Sequence, residues 1–479
     1  MRKLCSLIGM SILSLSSTAY ASDHSKKAQP IDQWLDQVHL NNLSISNQSD
    51  QKLLHIKRHL VNFYRNTTID KSFVDDNGVT VDCIPFKKQL ALIDQPQSFI
   101  DQAYHNYQLH GPSAPQDTRC PVGDVLMARP LIDTMNSHDP SAFFKNPPKD
   151  QKSQTKPSNN QKPPRYVYNW VQTPYRHFNT DWDIAYASLS MGSKPSLASY
   201  SSFGHSLGQM WVLTDGNYDR HSLEAGIVRD VQHSTEMGFQ PTFFIFASVD
   251  GYGQDSCYNG LCGHFIQFPN TPLINDIPDT PSHILGYHGP TDIYTFAFRQ
   301  AQQDDNTHRY NYYLSRSNGV IDPAENKTQL KTDTLGYYDF STADVDTSNP
   351  QYFKKVSAGG ELVVDEAGYP KQTNWDMGTG SMNRHQQDLN TAAIYTYGYS
   401  TGFFTQKDPN TISFLTRGTD PIIRSQYPGK AKCFHGDDYD LTSLNAWPYQ
   451  HKPAIPDTIK SFNKQLPLGI MAYGGSLVH

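Results

Sequence analysis

Two short runs carry residues whose types and spacing could do chemistry. Ser222-Leu223-Glu224-Ala225-Gly226-Ile227-Val228 holds one glutamate in an apolar setting, with a glycine two residues on. Ala358-Gly359-Gly360-Glu361-Leu362-Val363-Val364 holds another, with a glycine two residues back. Both runs read as strands, in which positions i and i±2 share a face. Glu224 is therefore expected beside Gly226, and Glu361 beside Gly359. A carboxylate next to a patch without side chains suits a floor on which another backbone can lie. A lone strand glutamate is ordinarily a solvated or ion-paired surface group. Here two occur, with the same layout and no neighbouring lysine. Two carboxyls held close cannot both ionise cheaply, so one pKa rises and the pair shares a proton. One then serves as general base on a water and the other as general acid. We expect Glu224 and Glu361 to face each other across a cleft as such a catalytic pair.

Competing chemistry is weaker. Gly204-His205-Ser206-Leu207-Gly208 matches the G-x-S-x-G nucleophile elbow. That elbow needs a buried strand before the serine and a helix after it. Polar Ser199-Tyr200-Ser201-Ser202-Phe203 precedes this one and strand-like Gln209-Met210-Trp211-Val212-Leu213 follows, so we read a loop entering a strand. Histidines are scattered without an HExxH or paired-ligand spacing, so no metal and no cofactor are expected. Tyr252, in Gly251-Tyr252-Gly253, could donate a hydrogen bond in the site, although packing is its simpler role.

The elements that must position these residues follow from composition. The chain has 479 residues, 18% charged and 12% aromatic with 28 tyrosines. Such a mix favours β-strands and polar loops over long helices. A net charge of −6 argues against nucleic acid as a partner. Residues 1–21 read as a signal peptide, with Arg2 and Lys3, an apolar stretch to Leu15, and Ala19-Tyr20-Ala21 as the cleavage site. No later stretch is long and apolar enough to cross a membrane as a helix. We expect a secreted, extracellular or periplasmic, protein. Export makes disulfides plausible. Cys257 and Cys262 flank a possible tight loop, Cys83 and Cys120 form a plausible second pair, and Cys433 is left over.

Residues 22–135 read as a small α+β domain. Ser49 is placed as the cap of a helix carrying Leu53, Leu54, Ile56, Leu60, Val61 and Phe63. Gln97 to Tyr107 suggests a second helix, and Val79 to Pro85 a short apolar run. Residues 136–164 are rich in Lys, Gln, Asn and Pro and read as a linker open to proteolysis, with a plain spacer as the competing reading. Residues 165–479 show short strand-like runs broken by turn signals. Examples are Gln209–Leu213, Leu223–Val228, Pro241–Val249, His264–Phe268, Asp292–Phe298, Glu361–Val364 and Ala392–Tyr397. We expect an all-β domain there, an antiparallel β-sandwich of two packed sheets.

These motifs, in order and spacing, resemble the neprosin family. Leu223-Glu224-Ala225-Gly226 is similar to its E-A-G-W, with Ile227 in place of the tryptophan. The run Phe244 to Tyr252 resembles its W-x-x-D-x-Y, and Ser256 to Gln267 its G-C-Y-N-L-x-C-x-G-F-V-Q. Gly359-Gly360-Glu361-Leu362-Val363 resembles G-G-E-V, and Met377-Gly378-Thr379-Gly380-Ser381-Met382 resembles M-G-S-G-x-F. Ser206 to Val212 is similar to a strand S-x-S-Q-x-W-V, which independently argues against the nucleophile elbow. Gln209, Trp211, Gly226, Tyr252 and Gly359 are the candidate substrate-binding or supporting residues. Asp82-Cys83-Ile84 and Cys120-Pro121-Val122-Gly123 resemble motifs of the family's activation region. Tyr473-Gly474-Gly475-Ser476 only echoes its C-terminal motif. The resemblance implies a β-sandwich glutamic peptidase, made as a zymogen, metal-independent, active in acid and inclined toward proline. Its catalytic pair falls on Glu224 and Glu361. The partners implied are a polypeptide substrate and the chain's own N-terminal domain, which is expected to cover the cleft as an inhibitor. A two-carboxylate glycoside hydrolase and a non-catalytic secreted binding protein are the other readings.

Overall fold

The structure is a computed structural model. It describes residues 27–38, 48–75, 78–130, 165–172, 184–190, 204–214, 222–230, 242–248, 256–261, 263–274, 294–302, 310–318, 330–331, 333–339, 353–364, 376–377, 393–400, 411–412, 422–426, 471–472 and 475–476. The expected signal peptide and linker lie outside the described residues.

The N-terminal unit combines helices with a small sheet. Its helices are α1 (Ile31–Gln37), α2 (Gln48–Asn66) and α3 (Gln97–His110). Its strands β1 (Lys71–Val74), β2 (Thr80–Pro85) and β3 (Asp124–Ala128) pair antiparallel in that order. Helix α2 starts at Gln48, so Ser49 lies inside its first turn and does not cap it. Pro96 precedes α3, where its fixed φ and missing N–H are tolerated, and its carbonyl accepts from Phe99 and Ile100. The Cys83–Cys120 disulfide joins β2 to the segment before β3. Its closed loop spans 37 residues, for which chain entropy gives about 4 kcal/mol. Beside it, Arg129 and Asp82 form an ion pair at 2.5 Å, both side chains almost fully buried.

From Arg165 onward every described element is a strand. In chain order these are β4 (Arg165–Gln172), β5 (Ile184–Ser190), β6 (Gly204–Thr214), β7 (Ser222–Asp230), β8 (Thr242–Ser248), β9 (Ser256–Tyr258) and β10 (Phe265–Gln267). Then come β11 (Tyr294–Gln302), β12 (Tyr310–Asn318), β13 (Leu330–Lys331), β14 (Asp333–Asp339), β15 (Phe353–Val364), β16 (Asp376–Met377) and β17 (Ala393–Ser400). Last are β18 (Thr411–Ile412), β19 (Ile422–Gln426), β20 (Met471–Ala472) and β21 (Gly475–Ser476). Two seven-stranded antiparallel sheets form the body. One has the order β19-β4-β15-β6-β7-β8-β9 and the other β10-β14-β12-β11-β5-β17-β20. This is the expected all-β sandwich.

Alternation decides which faces meet. Phe243 of the first sheet lies 4.8 Å from Tyr294 and 5.9 Å from Phe296 of the second, ring centre to ring centre. The Arg316 guanidinium sits 4.0 Å over the Phe243 ring. The first sheet therefore turns Phe243, Ile245, Ala225, Ile227, Met210 and Ala358 inward, and all six are buried. The neighbouring positions in each strand point to the outer face.

The N-terminal unit packs on the far side of the second sheet. One apolar cluster unites Trp34, Leu60, Phe63, Ile84 and Phe86 with Ile266, Phe268, Tyr313 and Tyr337. Tyr313 and Tyr337 are register partners, on the face opposite Phe296 and Arg316. Hydrogen bonds seal the junction. The Gln89 amide donates to the Gln267 carbonyl at 3.1 Å and accepts from the Gln267 N–H at 2.9 Å. Asn270 Oδ1 accepts from the Gly123 N–H at 2.8 Å. The described layers thus run N-terminal unit, second sheet, first sheet.

Candidate active site

The residues singled out in sequence converge on three adjacent strands, β7, β6 and β15. Directly paired residues in an antiparallel sheet share a face. One row reads Glu224–Trp211–Ser357, the next Gly226–Gln209–Gly359, and the third Val228–Leu207–Glu361. All nine positions lie on the outer face of the first sheet. Both glutamates therefore stand on one sheet, at opposite corners of a diagonal. This differs from two carboxyls opposed across a cleft. On a flat sheet that diagonal spans roughly 17 Å between Cα atoms, from about 4.8 Å per strand and 3.4 Å per residue. Gln209 occupies its midpoint, flanked on both sides by glycine.

Side-chain contacts follow the rows. Gln209 Nε2 donates to Glu361 Oε2 at 3.1 Å. Ser222 Oγ donates to Glu224 Oε1 at 2.6 Å. Ser222 is two residues before Glu224 and so shares its face. Its register partner on β8 is Ser248, which pairs in turn with Ser256 on β9. Ser256 Oγ donates to Ser248 Oγ at 3.2 Å. A ladder of three buried serines thus ends beside Glu224. Ser222 obeys the same i±2 rule that placed Gly226, and that rule was the signal available for it. Ser248 and Ser256 needed the register.

The face is closed to solvent although it is the outer face of a sandwich. Glu224 and Glu361 are each 2% exposed and Gln209 3%. Trp211, Phe244, Phe246 and Tyr258 on the same face are buried too. Among the described residues, Gln209 Oε1 has no hydrogen-bond partner. Gly226 is required for a second reason besides the open floor. A Cβ there would run into the Gly208 carbonyl oxygen and sit 2.8 Å from Gln209 Cα.

The remaining candidates divide. Gly204 to Gly208 lies wholly inside β6, so its serine stands on a strand and not on a strand-to-helix turn. After Cys257 the chain makes a tight turn, with Asn259 and Gly260 both at positive φ and the Leu261 N–H bonded to the Tyr258 carbonyl at 3.0 Å. Asn259 Oδ1 accepts from the Ile245 N–H at 2.9 Å and ties this turn to β8. Cys257 is buried. Cys262, Tyr252 and Cys433 lie outside the described residues. Asp376–Met377, at the head of the M-G-T-G motif, pairs with Gly475–Ser476, so two motifs almost a hundred residues apart meet. No group of three or more His, Cys, Asp or Glu among the described residues has metal-binding geometry.

Residues 203–401 match the family model Neprosin. Over that stretch the chain is similar to the neprosin family. The neprosin match starts at β6 and ends just after β17, so it contains both glutamates, Gln209, Trp211 and both glycines. It supports a peptidase-type hydrolase activity. Strands β4 and β5 and the whole N-terminal unit precede it. Among the described residues no helix is long and apolar enough to cross a membrane.

Proposed function

We propose that the protein is a secreted glutamic endopeptidase in which Glu224 and Glu361 form the general acid/base pair. The observation that carries this reading is their placement on one sheet face with a glycine beside each and a glutamine between them. A polypeptide lying over Gly359, Gln209 and Gly226 would place a scissile carbonyl along the diagonal. One glutamate then takes a proton from water as its oxygen attacks that carbonyl, and the other delivers a proton to the departing amine. Since the two carboxyls lie at opposite ends of the diagonal, they act from either side of the reacting group rather than by sharing one proton directly. Inclination toward proline remains part of the proposal through the resemblance to that family.

The burial of both carboxyls supports a latent form. A polypeptide cannot reach groups that are 2% exposed. Cleavage within residues 136–164 in acid is proposed as the activating step, leaving a fragment of about 35 kDa, scaled from 54.1 kDa over 479 residues. The described N-terminal residues pack on the far side of the second sheet, so their release alone does not uncover the carboxyls, contrary to the expectation that this domain covers the cleft. Digestion of casein at pH 4 tests the chemistry. Glu224→Gln and Glu361→Gln should each lower the rate by roughly 10²–10⁴-fold. Undiminished digestion by either variant contradicts the paired-glutamate mechanism. Release of sugar from a polysaccharide without peptide cleavage would select the glycosidase reading instead.

A further inference from the structure

We propose that the N-terminal unit is a permanent third layer of this protein, docked on a plug at Asn270–Leu273 and retained after the linker is cut, so that the processed form is a two-chain molecule. The cut within residues 136–164 comes from the preceding reading, and the role of either glutamate does not enter.

Asn270 follows β10 in the sandwich, yet the N-terminal unit uses every polar group it carries. Its N–H donates to the Asp124 carbonyl at 2.8 Å, and its carbonyl accepts from the Gln116 and Asp117 N–H groups at 3.0 and 2.9 Å. Its Oδ1 accepts from the Gly123 N–H at 2.8 Å. Its Nδ2 donates to the Pro121 carbonyl at 2.9 Å, with the Cys120 and Asp117 carbonyls at 3.4 and 3.3 Å. These partners fix the carboxamide in one orientation, nitrogen toward carbonyls and oxygen toward an N–H. Asn270 is 2% exposed, so water does not compete for the bonds. Its φ is 51°, a left-handed conformation that asparagine adopts more readily than most residues with a side chain.

The apolar contacts reach both ways. Leu273, three residues on, is buried in the cluster of Val81, Leu126 and the disulfide pair Cys83 and Cys120. The disulfide thus braces the socket that the plug enters. On the sheet itself, Ile266, Phe268, Tyr313 and Tyr337 share one core with Trp34, Phe63 and Phe86. Undocking would bare three of those rings on the sheet, at up to roughly 150–250 Å² each. The largest apolar patch on an ordinary monomer is about 300–600 Å² in all. Neither half therefore has a finished core without the other.

The polar contacts survive acid. Gln89 and Asn270 bind through amides, and the Asn106 amide donates to the Tyr337 hydroxyl at 3.2 Å. Amides carry no charge at pH 7 or at pH 4. His110 and Asp124, which do titrate at this junction, act in opposite directions as pH falls.

Size-exclusion chromatography of the cut protein tests this. A recognition sequence for a site-specific protease replaces residues 150–156 in the full chain, in the Glu361→Gln background. That background stops self-digestion if the catalytic pair is right and leaves the junction alone if it is wrong, so the two readings fail separately. After a cut confirmed on a denaturing gel, both fragments should elute together at the position of the uncut chain, at pH 7 and at pH 4. An N-terminal fragment eluting apart at either pH overturns the proposal. The plug is tested by mixing cut protein that carries a fluorophore on its N-terminal fragment with unlabelled cut protein and following exchange of the label. Asn270→Gly keeps the backbone conformation, removes the carboxamide and should speed exchange by roughly 10- to 100-fold. If that variant fails to fold, Asn270→Asp, which keeps the shape and turns a carboxylate toward the carbonyls, carries the test with the same expectation. Exchange at the wild-type rate overturns the plug.

Discussion

At the residue scale the site is built from side chains two positions apart. Glu224 with Gly226, and Glu361 with Gly359, could be assigned common faces because a strand has a fixed period of two. The midpoint role of Gln209 was not legible, because its bond to Glu361 joins residues 152 apart in the chain. Only the register of β6 between β7 and β15 reveals it. Ser222 follows the same period of two as Gly226. Small polar residues in strands are common, so that position draws no notice until the hydroxyl is seen bonded to Glu224. Gly226 gives the sharpest test of local geometry. Gly226→Ala drives a methyl group into the Gly208 carbonyl and should cost about 1–3 kcal/mol of stability. Thermal unfolding checks this. An unchanged melting temperature would show that β6 and β7 can separate there at little cost.

At the scale of elements, the strands with clean apolar runs could be read from sequence, and each overlaps an observed strand, although β6 and β15 begin well before the expected Gln209 and Glu361, at Gly204 and Phe353. The strands β12 and β14 could not. Their described residues are buried on both faces, between the first sheet and the N-terminal unit, so polar–apolar alternation is absent. Their tyrosines and serines look like loop residues until the packing is known. The G-x-S-x-G pattern dissolves for a related reason, since a continuous eleven-residue strand leaves no turn for an elbow. Within the N-terminal unit, Asp82 and Arg129 tie β2 to the end of β3. Ser72 Oγ also donates to Asp82 at 2.6 Å. Arg129→Met should cost about 3–5 kcal/mol, because it strands a buried carboxylate. Urea denaturation would measure it, and a loss below about 1 kcal/mol would mean that the carboxylate finds water or another donor.

At the scale of the whole molecule, the N-terminal unit and the candidate site lie on opposite sides of the sandwich as far as the described residues go. Sequence motifs could separate a small α+β unit from a β domain, but they carry no information on which sheet face it would meet. The junction contains two titrating groups of opposite effect. His110, at the end of α3, lies against the Tyr313 ring at 4.5 Å. Burial holds its pKa down to about 3, with the Arg299 and His105 charges adding to the effect. The unfolded chain takes up that proton near pH 6.5, so this group costs stability progressively as pH falls from about 6.5 toward 3. Asp124 is pushed the other way, to about 6, by burial and then by Asp70. Its penalty is present above pH 6 and is relieved as pH falls toward its unfolded value near 3.8. Below that, His110 acts alone. His110→Phe should therefore flatten the loss of thermal stability between pH 6 and pH 3.5. Asp124→Asn should raise stability at pH 7 and steepen the acid loss. Parallel curves for His110→Phe and wild type would remove His110 from any acid loosening of this junction.

The central claim is that Glu224 and Glu361 act on one substrate bond as a unit. A double-mutant cycle in kcat/KM on a peptide substrate tests it most directly, with Glu224→Gln, Glu361→Gln and both together. Groups that act together are strongly non-additive. The paired mechanism predicts that the double variant is no slower than the slower single one. Losses that multiply, or a single variant that keeps wild-type activity, would contradict it.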